Sequence, residues 1–300
     1  MSEFADNPLV SIVTPSYNQG QFIEQTILSV KNQNYPNIEH IIVDGGSTDN
    51  TLDILKKYEG TYNMRWASEP DEGQADAVNK GFEMAKGRII GWLNSDDCYF
   101  TRDVIAEVVE AFKHNPTTHI VYGDLAKIDE CNRVISVACS LPFFSYTLLR
   151  RQDYLPQPSM FLIHDVVRKE KLNMNLHYVM DYEYWLRLGK NYNFRYLSKI
   201  LAAFRVHEKS KSVSDKERMS EERNSVRRQW TEKKGNILTI LLGRLLKLKA
   251  LYKVWSLYRQ PASCFAFDVN LINERTLIIR EIVPQFILNK FPHYGKNQSG

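Results

Sequence analysis

Between Leu9 and Tyr122 the chain alternates short β-rich runs with stretches of helical length, and that rhythm restricts the folds open to it more than any other feature. The strand-like runs are Leu9 to Val13, Ile38 to Val43, Met64 to Ala67, Arg88 to Leu93 and His119 to Tyr122. Gln21 to Gln33, Asn50 to Tyr58, Gln74 to Ala85 and Arg102 to His114 lie between them. A βαβα order of this kind predicts an α/β fold with a mostly parallel sheet flanked by helices. Each run is followed at once by small, polar or acidic residues: Thr14-Pro15-Ser16-Tyr17-Asn18, Asp44-Gly45-Gly46-Ser47, Glu69-Pro70-Asp71-Glu72-Gly73 and Asn94-Ser95-Asp96-Asp97. Loops at the carboxyl ends of parallel strands converge on one crevice, so four of them predict a shared site.

The sharpest of these transitions is Ile89 to Asp97, an apolar run that stops on two adjacent carboxylates. Adjacent carboxylates repel, and a chain carries them cheaply only in water or around a counter-ion. At a strand's carboxyl end that counter-ion fits a divalent metal carrying a phosphorylated ligand. A solvated acidic turn is the plainer alternative.

Charge is unevenly spread. Lys211 to Arg259 holds 13 Lys and Arg against 5 Asp and Glu, leaving 26 against 30 elsewhere, so the net +4 hides a basic C-terminal region. That region reads as a mainly helical extension over 213–300, suited to an anionic surface. Within it, Leu238, Leu241, Leu242, Leu245, Leu246 and Leu248 against Arg244, Lys247, Lys249 and Lys253 resemble an interfacial helix, with a core or oligomer contact as the equal alternative. Aromatic residues do not organise around a basic face, which argues against nucleic acid. No apolar stretch approaches the roughly 18 residues that span a bilayer. Four cysteines without ligand spacing, and a polar start without a secretory leader's order, predict a cytoplasmic protein, with peripheral attachment to the inner membrane face as the added possibility.

Six segments, in order, resemble an inverting family 2 glycosyltransferase of the GT-A fold. They are Val13 to Asn18, Ile42 to Asp49, Asp71 to Gly81, Leu93 to Asp97, Met180 to Leu188 and Phe204 to Glu208. The resemblance covers roughly Leu9 to Ser212. It implies a glycosyltransferase domain over 1–212, with a nucleotide-sugar half to about 125 and an acceptor half over 126–212. It also implies transfer of one sugar from a nucleoside-diphosphate sugar, UDP-linked, to a saccharide or lipid-linked hydroxyl acceptor in bacterial surface polysaccharide or glycolipid assembly.

Residue roles follow from the same resemblance. Asp97 meets the metal, Mn²⁺ or Mg²⁺, and Asp96 lies on the ribose or sugar side. His207 completes the metal shell or touches phosphate, an imidazole suiting Mn²⁺ better than Mg²⁺. Asp44 accepts from the N–H edge of the base, with Asp71 a second candidate for that edge and each also readable as a turn residue. Tyr17 stacks on the base, Thr14 and Pro15 line the same floor, and Lys80 faces the diphosphate or simply solvent. Asp181 is the general base, placed in the first turn of a helix whose Tyr184, Trp185 and Leu188 form a packed face. Glu183 is the reserve, and Ser210 and Ser212 sit on a mobile loop over Lys209 to Asp215.

The chain departs from membrane-embedded processive members, since Arg227-Arg228-Gln229-Trp230 does not have their Gln-x-x-Arg-Trp spacing. A sugar-nucleotide pyrophosphorylase would carry a Gly-rich basic loop after the first strand, and a dehydrogenase Gly-x-Gly-x-x-Gly; both are missing. A non-catalytic nucleotide-sugar-binding scaffold is the remaining alternative.

Overall fold

Runs covered on both faces become strands here. All seven residues of β1 (Val10–Ser16) are buried, and β2 (Ile38–Asp44) is buried from Glu39 onward. The computed structural model describes residues 6–208, 210–230 and 266. With α1 (Ile23–Lys31), α2 (Thr51–Tyr58), β3 (Met64–Ser68), α3 (Gln74–Met84) and β4 (Ile89–Trp92), the first third alternates as expected. β5 (Cys98–Tyr99), α4 (Val104–Lys113), β6 (Ile120–Ile128), β7 (Val134–Ala138) and α5 (Tyr146–Leu149) follow. A 3-10 turn at Gln157–Ser159 leads into β8 (Met160–Ile163), α6 (His164–Lys169), α7 (Met180–Leu188) and β9 (Phe194–Arg205). α8 (Lys211–Ser214) and α9 (Lys216–Trp230) close the described elements.

Among the described residues nine strands form one sheet in the order β3-β2-β1-β4-β8-β6-β9-β5, with β7 paired to β6 off this path. β3, β2, β1 and β4 are parallel throughout. β8 enters antiparallel to both β4 and β6, and β9 returns parallel to β6. The sheet is thus the expected mixed one, parallel where the nucleotide-sugar half was read and mixed beyond it. α3 lies close against β1 because Gly81 has no side chain: a Cβ there would sit 2.2 Å from Val13 Cγ1.

One apolar cluster joins Ile12, Val78, Phe82, Phe161, Trp185 and Val226, so both halves and α9 share a core. The expected division near 125 falls inside β6, and the one at 212 falls inside α8. The stretch Lys209 to Asp215, expected as a mobile loop, contains that short helix. The amphipathic segment Ile237 to Arg259 lies outside the described residues. Among the described residues no helix is long and apolar enough to cross a membrane.

Candidate active site

A cavity of about 930 Å³ opens where the parallel strands end, and residues from both halves line it. Its floor is two loops stapled together. The Asn18 N–H donates to Ser47 Oγ at 2.7 Å, Gln19 N–H to Thr51 Oγ1 at 2.9 Å and Gly20 N–H to Asp49 Oδ2 at 2.9 Å. These bonds occupy the backbone and leave the Tyr17 side chain 60% exposed on the cavity wall beside Pro15, as a stacking platform requires.

Three residues read toward the donor, Thr14 on the floor, Asp44 at the base edge and Lys80 at the diphosphate or in solvent, do not line the cavity. Thr14 is fully buried, and its hydroxyl is engaged by His40 Nε2 at 2.9 Å, because alternate strand residues face opposite sides of the sheet. Asp44 is also fully buried and holds the turn: its carboxylate accepts from Gly46 N–H, Ser47 N–H, and the Ser47 and Ser68 hydroxyls. Lys80 is bound to Asp76 at 3.2 Å and Glu69 at 3.3 Å, off the cavity. Asp71 does reach it. Gly45 makes room, since a Cβ at residue 45 would stand 2.6 Å from Asp71 Oδ2.

The two adjacent carboxylates take opposite places. Asp96 lines the cavity, and its Oδ2 lies 3.0 Å from His207 Nε2. Asp97 is fully buried, its Oδ1 accepting the Arg205 N–H at 3.0 Å. Burial, then the Asp96 charge, push the Asp97 carboxyl well above the usual carboxylate range. The structure thus presents Asp96 beside His207 and holds Asp97, the residue expected at the metal, within the protein. The physical reason is the turn itself, which turns one carboxylate outward and the next into the protein. Carboxylate and imidazole together suit a divalent cation that keeps phosphate and water as its other ligands. Among the described residues no three His, Cys, Asp or Glu side chains stand close enough to hold a metal by themselves.

Arg205 locks this turn. Its Nε donates to the Asp96 carbonyl at 3.0 Å, Nη1 to the Asp129 carbonyl and Asn132 Oδ1, and Nη2 to Gln25 Oε1. The motif Phe204 to Glu208 contained Arg205, but nothing in one sequence marks it as buried. A second network was also missed. Asn94 Oδ1 accepts from Trp92 Nε1 and Gln74 Nε2, Asn94 Nδ2 donates to Gln157 Oε1, and Lys211 Nζ donates to Gln74 Oε1. It ties the strand end to the Gln157 turn and to α8. Ser210 lines the cavity and donates to the His207 carbonyl.

Asp181 lines the same cavity from the start of α7, a helix whose Tyr184, Trp185 and Leu188 are buried as their spacing predicts. Burial, opposed by the Tyr182 N–H, raises the Asp181 carboxyl above its ordinary value, which makes it a stronger base. Glu183 lies off this cavity, paired with Arg187 at 3.1 Å. Asp153, which the sequence did not single out, lines the same cavity; burial and then the Asp181 charge push it up to about 8. Its Oδ1 is buried with no hydrogen-bond partner among the described residues, and so is Nε of Arg223, a cavity residue from α9.

Comparisons with known proteins bear on the fold and the family. Over 209 residues the chain is 31% identical to the chondroitin synthase of Pasteurella multocida, covering 69% of this chain and 22% of that protein. It spans only 20–30% of the length of this and two similar synthases, from Pasteurella multocida and Escherichia coli. Among solved structures, residues 1–349 of S. aureus TarS in complex with UDP-GlcNAc superpose with a TM-score of 0.59 at 17% identity, over 73% of this chain and 65% of that one. The mannosyltransferase PcManGT of Pyrobaculum calidifontis, in complex with GDP-Man and Mn²⁺, superposes with a TM-score of 0.56 at 18% identity, over 77% of this chain and 66% of that one. Both likenesses establish a shared fold. The family model described as Glycosyl transferase family 2 matches residues 11–168, and the chain belongs to that family.

Proposed function

We propose that this protein transfers a sugar from a nucleoside-diphosphate sugar to a hydroxyl acceptor, with inversion at the anomeric carbon. The observation that carries the reading is the one cavity lined by both Asp96 and Asp181, with His207 against Asp96. Tyr17 and Asp71 receive the base and Pro15 the floor beneath it. Asp181 takes the acceptor hydroxyl's proton as that oxygen attacks the face opposite the departing diphosphate. Asp96 and His207 would hold a divalent cation, whose charge offsets that of the leaving diphosphate. Asp44 acts from beneath, shaping the turn that positions Gly45 and Asp71.

Structures with UDP-GlcNAc and with GDP-Man and Mn²⁺ share this fold, which supports a nucleotide-sugar donor and a metal such as Mn²⁺. UDP is the preferred nucleotide, and a cell-surface saccharide the acceptor class. Because contacts cross residue 212, the catalytic domain is taken to run through α9. Attachment to an anionic membrane would rest on Ile237 to Arg259. The test is a panel of UDP- and GDP-sugars with Mn²⁺, scored for nucleoside diphosphate released with water or saccharides as acceptor. Turnover of one donor, abolished by Asp181→Asn with nucleotide binding kept, is expected. Donor binding without turnover would favour a scaffold, and pyrophosphate formation a nucleotidyltransferase.

A further inference from the structure

The segment that delivers Asp181 into the cavity is held by a carboxylate from far downstream. Glu222 of α9 accepts three consecutive backbone N–H groups, His177 at 2.9 Å, Tyr178 at 2.7 Å and Val179 at 2.8 Å. These are the last residues before α7, whose own N-terminus has no side-chain cap. An ionised carboxylate offers about four acceptor positions, and such charge-assisted bonds are short and strong. A second carboxylate grips the same segment, as the Tyr178 hydroxyl donates to Asp215 Oδ2 at 2.8 Å.

α9 is itself well fastened. Met219, Glu222, Arg223 and Val226 recur at three- and four-residue spacing and so share one face of the helix. Val226 is buried in the common core, Met219 and Arg223 line the cavity, and Lys190 Nζ stands 4.3 Å from the Trp230 ring centre. The helix thus connects the core, through Val226, to the residues preceding Asp181, through Glu222.

We infer that Glu222 is a positioning residue for glycosyl transfer, setting where the Asp181 carboxylate stands by holding the His177–Val179 backbone. The inference rests on the reading of Asp181 as the base. It gives the start of the basic C-terminal region a catalytic duty, independent of any membrane. Displacement of a reacting group by about 1 Å costs on the order of 100-fold in rate, so a loosened segment affects turnover long before it affects nucleotide binding on the far wall.

The experiment uses the full chain and the donor turned over in the panel, with four readouts: kcat, KM for donor, UDP affinity with Mn²⁺, and Tm. Glu222→Ala is expected to lower kcat about 30- to 100-fold while UDP affinity stays within about 3-fold. Glu222→Gln keeps one acceptor oxygen and the shape, and is expected to lower kcat about 5- to 10-fold with Tm near that of the wild type, so the inference stays testable if the alanine variant fails to fold. Unchanged kcat in Glu222→Gln and Glu222→Ala, with Asp181→Asn inactive, overturns the inference and leaves the proposed function standing. Parallel loss of kcat, UDP affinity and Tm also overturns it, because that is the signature of a merely structural contact. Full activity in Asp181→Asn, or turnover of no donor, removes the proposed base and the inference with it.

Discussion

At the turn that ends on Asp96 and Asp97 the carboxylates and the Asp96 carbonyl are tied to protein partners, whereas Asp153 Oδ1 and Arg223 Nε, which belong to residues lining the same cavity, have no hydrogen-bond partner among the described residues. The first wall rests on strand ends. β1, β2 and β4 set its backbone, and the buried Arg205 clamps it. The second is assembled from a loop, the first turn of α7 and the face of α9, pieces far apart in sequence. The difference matches the tasks proposed for them. A diphosphate and its cation are the same in every turnover and suit a pre-formed wall, while proton removal suits Asp181, whose carboxyl burial makes a stronger base.

The largest effect that would test this contrast is at Asp181. Asp181→Asn should cut turnover about 10²- to 10⁴-fold, the ordinary contribution of a general base, with UDP affinity by calorimetry unchanged. Loss of binding as well would make the two walls one unit. Arg205→Ala should lower stability by about 3–5 kcal/mol in chemical denaturation, since it empties a buried, fully bonded charge site. A small change there would mean that the first wall does not depend on its clamp.

A third substitution pair separates the neighbours. Asp96→Asn should weaken Mn²⁺-dependent UDP binding about 10- to 100-fold, as loss of a metal-site residue does, while Asp97→Asn leaves it near the wild-type value. The reverse order would restore Asp97 as the metal-side residue. The last test concerns pH. Asp153 has its carboxyl raised from 3.8 to about 8 by burial and by Asp181, so between those values the folded protein binds the proton and the unfolded chain does not. Stability from this group is complete below about pH 4 and declines as pH rises toward 8, and Asp153→Asn should flatten that part of the Tm–pH curve.

Period and turn chemistry made the first half legible. Strand-like runs led to β1 to β4 and β6 within a few residues, and acid-rich loops marked the sheet edge where the cavity opens. Pro15, Tyr17, Asp71, Asp96 and Asp181 line that cavity. Beyond β6 the reading thinned. β8 and β9 are a short and a half-exposed strand, and their pairing with β4, β6 and β5 joins residues whose separation no local pattern encodes. Lys80 was read toward the diphosphate because a helix position says nothing about which acidic neighbours stand near; Asp76 and Glu69 claim it.

By itself the sequence determined the alternating architecture, the family and the edge of the sheet where the cavity opens, because hydrophobic period and loop composition are local properties. Only the tertiary structure decided which of two adjacent carboxylates faces the cavity, that Asp44 and Thr14 serve from below, and that Asp153, Arg205, Glu222 and Arg223 join the site. Those outcomes depend on burial and on partners brought together from distant parts of the chain, and neither quantity is written at any single position.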